Sequence, residues 1–126
     1  MQDSIFTKII RGEIPAYKIY EDDKTFALLD IRPMQPGHVL VVPKIQIDKF
    51  YDLPDEDYVA LWQTVKKIAL HMEKILGQRT LLKIVGIDVP HVHIHLFPAD
   101  PNMPPNELPI ADDAELAKMA EKLRLE

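Results

Sequence analysis

The chain has 126 residues, of which 47% are hydrophobic and 28% charged, enough apolar content for one domain with its own core. Fifteen basic against 20 acidic side chains leave a formal net charge of −5. A nucleic-acid coat or a membrane-surface binder usually presents a basic excess, so both are disfavoured, whereas a small anionic ligand needs only local donors. The chain has no cysteine, which excludes disulfides, thiolate nucleophiles and cysteine-type zinc sites and fits a reducing compartment. No run approaches the roughly 18 apolar residues of a membrane span. Met1 to Phe6 has no basic segment leading into a long apolar run, so no signal peptide is read and the expected location is the cytoplasm.

In chain order, Tyr17 to Tyr20 and Thr25 to Leu29 read as two strands joined by the polar turn Glu21-Asp22-Asp23-Lys24, a hairpin. Pro33, Pro36 and Gly37 punctuate a loop, and His38 to Val42 is a β-branched apolar strand stopped by Pro43. The strongest helix runs from about Pro54 to Leu76. Its stripe takes in Tyr58, Leu61, Trp62, Val65, Ile68, Ala69, Met72, Ile75 and Leu76, with acidic residues at its start and Gly77 at its stop. Leu81 to Val85 and His91 to Phe97 are two further strand candidates. Five prolines between Pro98 and Pro109 predict an irregular, extended stretch, and Ala111 to Leu125 predicts a C-terminal helix. His71 lies off the helical stripe and reads as a surface residue. The order gives an α+β domain over residues 1–126: an antiparallel five-stranded sheet, one long helix and a C-terminal helix.

Three of the five histidines fall within His91-Val92-His93-Ile94-His95. On a strand, alternate side chains share a face, so the three imidazoles would line a cleft while Val92, Ile94 and Leu96 bury against the helix. A single metal cannot take all three, because His91 and His95 would stand roughly 13 Å apart. Two of them could share an ion only with further ligands, such as His38 or Asp88. Neutral imidazole is a good nucleophile toward phosphorus, and its neighbours can donate to phosphate oxygens or protonate a leaving group. The four glycines are isolated, and no dinucleotide-binding, P-loop, nucleophile-elbow or zinc-protease motif occurs.

His91 to Phe97 resembles the signature of the histidine triad family, in which three histidines alternate with hydrophobic residues. The resemblance extends to Ser4 to Pro15, Tyr20 to Asp23, Leu29 to Ile31 and Pro36 to Lys44, about residues 4–98, and is greatest to the nucleoside phosphoramidase, or protein kinase C-interacting-protein-like, branch. It implies a homodimer whose sheet continues across the interface, without cofactor. It implies a hydrolase or transferase acting on the α-phosphate of purine nucleotides of the phosphoramidate or dinucleotide polyphosphate type. By position, His93 is the nucleophile that becomes nucleotidylated, and His95 contacts the phosphate or leaving group. His91 and His38 support the nucleophile, Asp30 binds the ribose, and Ile5, Phe6, Ile14 and Ile31 form the purine slot.

Two departures from the family pattern stand out. The approach Val85-Gly86-Ile87-Asp88-Val89-Pro90 is short and lacks the family's asparagine, and Asp88 stands where a phosphate-contacting hydroxyl often sits. A carboxylate there repels phosphate unless protonated or turned away, although the backbone N–H groups of Gly86 to Val89 remain as donors. Ser4 and Thr7 replace the Cys-x-x-Cys of zinc-bearing relatives, so no metal is expected. Two other readings stay open: a nucleotide-binding module with little catalysis, motivated by Asp88, and a metal-dependent enzyme using two histidines.

Overall fold

The computed structural model describes residues 2–100 and 110–125. The elements follow the order α1 (Ile5–Ile10), β1 (Lys18–Glu21), β2 (Thr25–Leu29), β3 (Val39–Pro43), a short 3-10 turn (Phe50–Asp52), α2 (Asp55–Leu76), β4 (Thr80–Lys83), β5 (Ile94–Pro98) and α3 (Asp113–Leu123). The five strands form one antiparallel sheet in the order β1-β2-β3-β5-β4, an α+β fold as expected.

The β1–β2 hairpin turns where Asp22 accepts from the N–H groups of Lys24 and Thr25 at 3.0 and 2.9 Å, a side-chain substitute for a backbone turn. Cross-strand pairing then sorts the sheet's faces. Ala27, Val41 and Ile94 stand side by side, as do Leu29, Val39 and Leu96, and this face packs on α2 and α3. Leu28, Leu40 and His95 align on the other face, which Phe6 of α1 helps to cover. Every residue of β2, β3 and β5 is buried, because helices cover both sides.

In α2, Leu61, Thr64, Val65, Ile68 and Met72 are buried at helical spacing. The stripe is narrower than the sequence suggested: Tyr58 is exposed, and His71, expected at the surface, is half-buried with its Nε2 enclosed. Asp112 caps α3 through the N–H of Ala114, and the N–H of Leu125 ties the tail to the carbonyl of Ile19. The proline-rich stretch expected after Pro98 lies outside the described residues from position 101 to 109.

Two elements depart from the sequence reading. Helix α1 was not expected; it is six residues long, less than two turns, too short for a 3.6-residue period to declare itself. The histidine strand is shorter than predicted: β5 begins at Ile94, so His91 and His93 do not alternate along a strand with His95. The N–H of Val92 bonds to the carbonyl of Ile47, and that of His91 to Val89, both outside the β ladder.

Candidate active site

The histidines are brought together by three different pieces of backbone. His95 sits on β5, opposite Leu40 of β3 and Lys83 of β4. His93 and His91 come from the segment that enters β5, and His38 from the residue before β3. His38, His91 and His93 are each no more than 3% exposed, and His95 is 9% exposed. They form two separate hydrogen-bonded pairs rather than one row.

The first pair contains His91 and His93. The Nε2 of His91 lies 2.7 Å from the carbonyl of Pro43, and a carbonyl only accepts, so that nitrogen carries the ring proton. Its Nδ1 then accepts from the hydroxyl of Ser4 at 2.7 Å. The Nδ1–H of His93 donates to the backbone carbonyl of His91 at 2.7 Å, which leaves the Nε2 of His93 with a bare lone pair. Phe6 packs against both rings, its centroid 5.7 Å from His91 and 5.1 Å from His93.

In the second pair, the N–H of Met34 donates to the Nδ1 of His38 at 2.9 Å, which places the proton of His38 on Nε2. That Nε2–H donates to the Nδ1 of His95, also at 2.9 Å, and the proton of His95 is therefore on its own Nε2. Burial holds both rings neutral. His38 is pulled down to about 3, chiefly by desolvation and then by His95 and Lys83. His95 is pulled down to about 4, chiefly by desolvation and then by His93 and Lys83, with Asp88 opposing. His91 is lowered too, first by burial.

A cleft of about 320 Å³ opens on this sheet face and is lined by Ile5, Phe6, Ile14, Asp30, Ile31, Asp88, Val89, His93 and His95. Nine of the eleven residues singled out by sequence therefore meet at one place. The other two, His38 and His91, do not line it, contrary to the picture of a whole row facing a cleft. Nor does His38 touch the nucleophile candidate; its partner is His95. The Oδ1 of Asp30 accepts from the N–H of Arg32, and its Oδ2 stands 3.6 Å from the Nε2 of His38. Asp88 is 77% exposed, with Oδ1 3.7 Å from the Nε2 of His93.

Sequence reasoning passed over Ser4 as a contact, Thr7, Met34, Pro43, Gln46 and Lys83. Backbone groups such as the Met34 N–H leave no mark in residue type, and Lys83 reaches the site only through the β4–β5 register. Ser4 had a readable signal, since serine before an apolar run is a helix cap.

A family model of the HIT, or histidine triad, domain matches residues 11–102. The chain is 40% identical over 98 residues to an adenosine 5′-monophosphoramidase of Saccharomyces cerevisiae; the match covers 75% of this chain and 61% of the yeast enzyme. The chain belongs to the histidine triad family. A Hit-like protein from Bartonella henselae has the same fold, with a TM-score of 0.88 at 32% identity over 97% of this chain and 94% of that one. A zinc-bound histidine triad family protein from Mycobacterium smegmatis superimposes with a TM-score of 0.80 at 28% identity, covering 95% and 89% of the two chains.

A metal of that kind does not fit the residues here. The chain has no cysteine, and the hydroxyls of Ser4 and Thr7 beside His91 are both hydrogen-bonded to neighbours. Asp30, His38 and His95 present donor atoms within 4.8 Å of one another, close enough for one ion. An ion on the Nε2 of His38, however, requires the ring proton on Nδ1, and the Met34 N–H already points there. The backbone thus commits that edge to a hydrogen bond between imidazoles.

Proposed function

We propose that this protein is a nucleotide hydrolase or nucleotidyl transferase that works on the α-phosphate of purine nucleotides, with phosphoramidates as its first substrate class, through a nucleotidyl-histidine. The observation that carries this reading is the bare Nε2 of His93 at the cleft, fixed by its Nδ1–H on the carbonyl of His91. The named activity of the yeast relative supports the substrate class.

In the first step the Nε2 of His93 attacks the α-phosphorus and the bond from phosphorus to the leaving nitrogen breaks. The departing amine takes its proton from solvent, while the Nε2–H of His95, its opposite nitrogen held by His38, donates a hydrogen bond to the phosphate. In the second step water attacks phosphorus and gives a proton back to solvent, and the bond to His93 breaks, releasing a nucleoside monophosphate. Asp30 would take the ribose, with Ile5, Phe6, Ile14 and Ile31 against the base. His91 supports the nucleophile through its carbonyl. Asp88 is the opposing feature: ionised and close to His93, it repels an incoming phosphate, and its exposure gives it room to turn aside. That proximity favours the second reading, a nucleotide-binding module with little catalysis.

Mass spectrometry after mixing with adenosine 5′-phosphoramidate decides between them. Wild type is expected to gain the mass of an AMP group and to release AMP, whereas His93→Ala does neither while still binding AMP. Full turnover by His93→Ala would remove histidine nucleophilic catalysis. Binding without adduct or release in wild type would support the binding module.

A further inference from the structure

We infer that Ser4 and Gln46 are positioning residues for the nucleophile, through a buried hydrogen-bonded clasp that ties the start of α1 to His91. The inference rests on the proposal that His93 is the nucleophile, and it adds residues for which that reading has no role.

The clasp has a buried centre, the Ser4–His91 bond, and defined donors. Ser4 is 6% exposed and His91 fully enclosed. The proton of His91 is on Nε2, held by the Pro43 carbonyl, so its Nδ1 needs a donor. Two hydroxyls lie within reach, those of Ser4 at 2.7 Å and Thr7 at 3.4 Å. Thr7 has its proton committed to the Oε1 of Gln46 at 2.7 Å, so Ser4 is the donor to His91. The same serine oxygen accepts the N–H of Thr7 as the cap of α1, and a hydroxyl that accepts at one side donates better at the other. Gln46 fixes the serine in turn: its Oε1 accepts the N–H of Ser4 at 2.8 Å, and its Nε2 donates to the carbonyl of Gln2 at 2.8 Å.

The consequence reaches the reacting atom in two links. The Pro43 carbonyl sets the tautomer of His91, the Ser4 hydroxyl pins its other ring nitrogen, and the backbone carbonyl of that residue holds the Nδ1–H of His93. Helix α1 also carries Ile5 and Phe6, two walls of the cleft, so the element that meets the base is the element that orients the nucleophile. Loss of the serine hydroxyl takes the 2.7 Å donor from a buried Nδ1 and leaves the ring pinned only at Nε2 by the Pro43 carbonyl, so that it can shift about that contact. The expected loss is in kcat, because the cleft walls that bind nucleotide stay in place.

The test compares Ser4→Ala, Ser4→Gly and Ser4→Thr with wild type, using adenosine 5′-phosphoramidate turnover and nitrogen-15 spectra of the histidine rings. Glycine removes the hydroxyl yet remains a tolerable helix cap, which covers the case of an alanine variant that does not fold. Both hydroxyl-free variants should lose about tenfold or more in kcat with KM within about twofold. Their His91 Nδ1 resonance should shift as its donor is lost while Nε2 stays protonated, and threonine should restore both readouts. Asp112→Ala, a cap deletion on α3, should leave kcat and the ring spectra unchanged. Unchanged kcat and spectra in Ser4→Gly overturn the inference, and so does a kcat loss no larger than that of Asp112→Ala. If wild type turns over no nucleotide, the proposed function fails; the ring spectra then still test the clasp.

Discussion

Neutrality is imposed on His38 and His95 by their surroundings, and it has a thermodynamic cost that a pH series can read. Both rings lie well below an ordinary histidine, at about 3 and about 4, because desolvation penalises the imidazolium. The unfolded chain takes up protons near 6.5, while the folded one resists until the lower values are reached. The unfolded state therefore binds more protons between about pH 6.5 and 4, and stability must fall as pH drops through that window. Above it the contribution is fully present. Each fully linked ring adds about 1.4 kcal/mol per pH unit. We expect the urea midpoint to fall steadily between pH 6.5 and 5, and His38→Gln to show a shallower fall over the same interval whatever its absolute stability. An equal slope in the variant would show that His38 is not held neutral by the fold. The orientation of His38 depends on the Met34 amide, a group invisible to any reading of residue types.

At the scale of elements, the loop before β3 joins the site closely to the scaffold. Gly37 has φ +94, and a Cβ there would stand 2.8 Å from the Cδ1 of Leu76 at the end of α2, with Leu123 and Met119 of α3 at 3.8 Å. Gly12 has a comparable φ of +81, with nothing within 4 Å of a Cβ. Gly12→Ala should therefore cost only the backbone strain, about 1 kcal/mol, and Gly37→Ala that strain plus displacement of Leu76, about 2–4 kcal/mol in total. Chemical denaturation of the two variants measures the difference, and equal costs would mean that Leu76 simply turns away. Elements with a repeating pattern could be read ahead of the structure. Helix α2 declared itself through Leu61, Val65, Ile68 and Met72, and the hairpin through Asp22 between two apolar runs. Helix α1 and the true start of β5 could not be read. The first is too short to show a period; at the second, loop contacts from Ile47 and Val89 outweigh the alternation of histidine and hydrophobic residue. For the site, residue type pointed to the cleft residues, but the pairing of His38 with His95 instead of His93 follows from tertiary placement alone.

For the whole molecule, the sheet ends on two edges that differ in character. β1 carries Lys18 and Glu21, and Lys18 and Lys44 both pair with Glu21, a charged rim of the kind that blocks further pairing. β4, Thr80-Leu81-Leu82-Lys83, pairs only with β5 among the described residues, and its Leu82 is 43% exposed. The Thr80 hydroxyl donates to the carbonyl of Ala69, which places the Leu70 end of α2 alongside this edge, and Leu70 is 61% exposed. Val85 and Ile87, on the loop that follows β4, are exposed as well. An edge with open ladder groups beside exposed apolar side chains is the expected site of self-association, and the histidine triad resemblance anticipates a dimer whose sheet runs on across its interface. We therefore expect a dimer at micromolar concentration by light scattering, which Leu82→Lys converts to monomer by placing a like charge on both copies at the edge. Lys18→Glu, at the opposite rim, should leave the dimer intact. A monomeric wild type would refute the dimer itself; a dimer untouched by Leu82→Lys but split by Lys18→Glu would move its interface to β1.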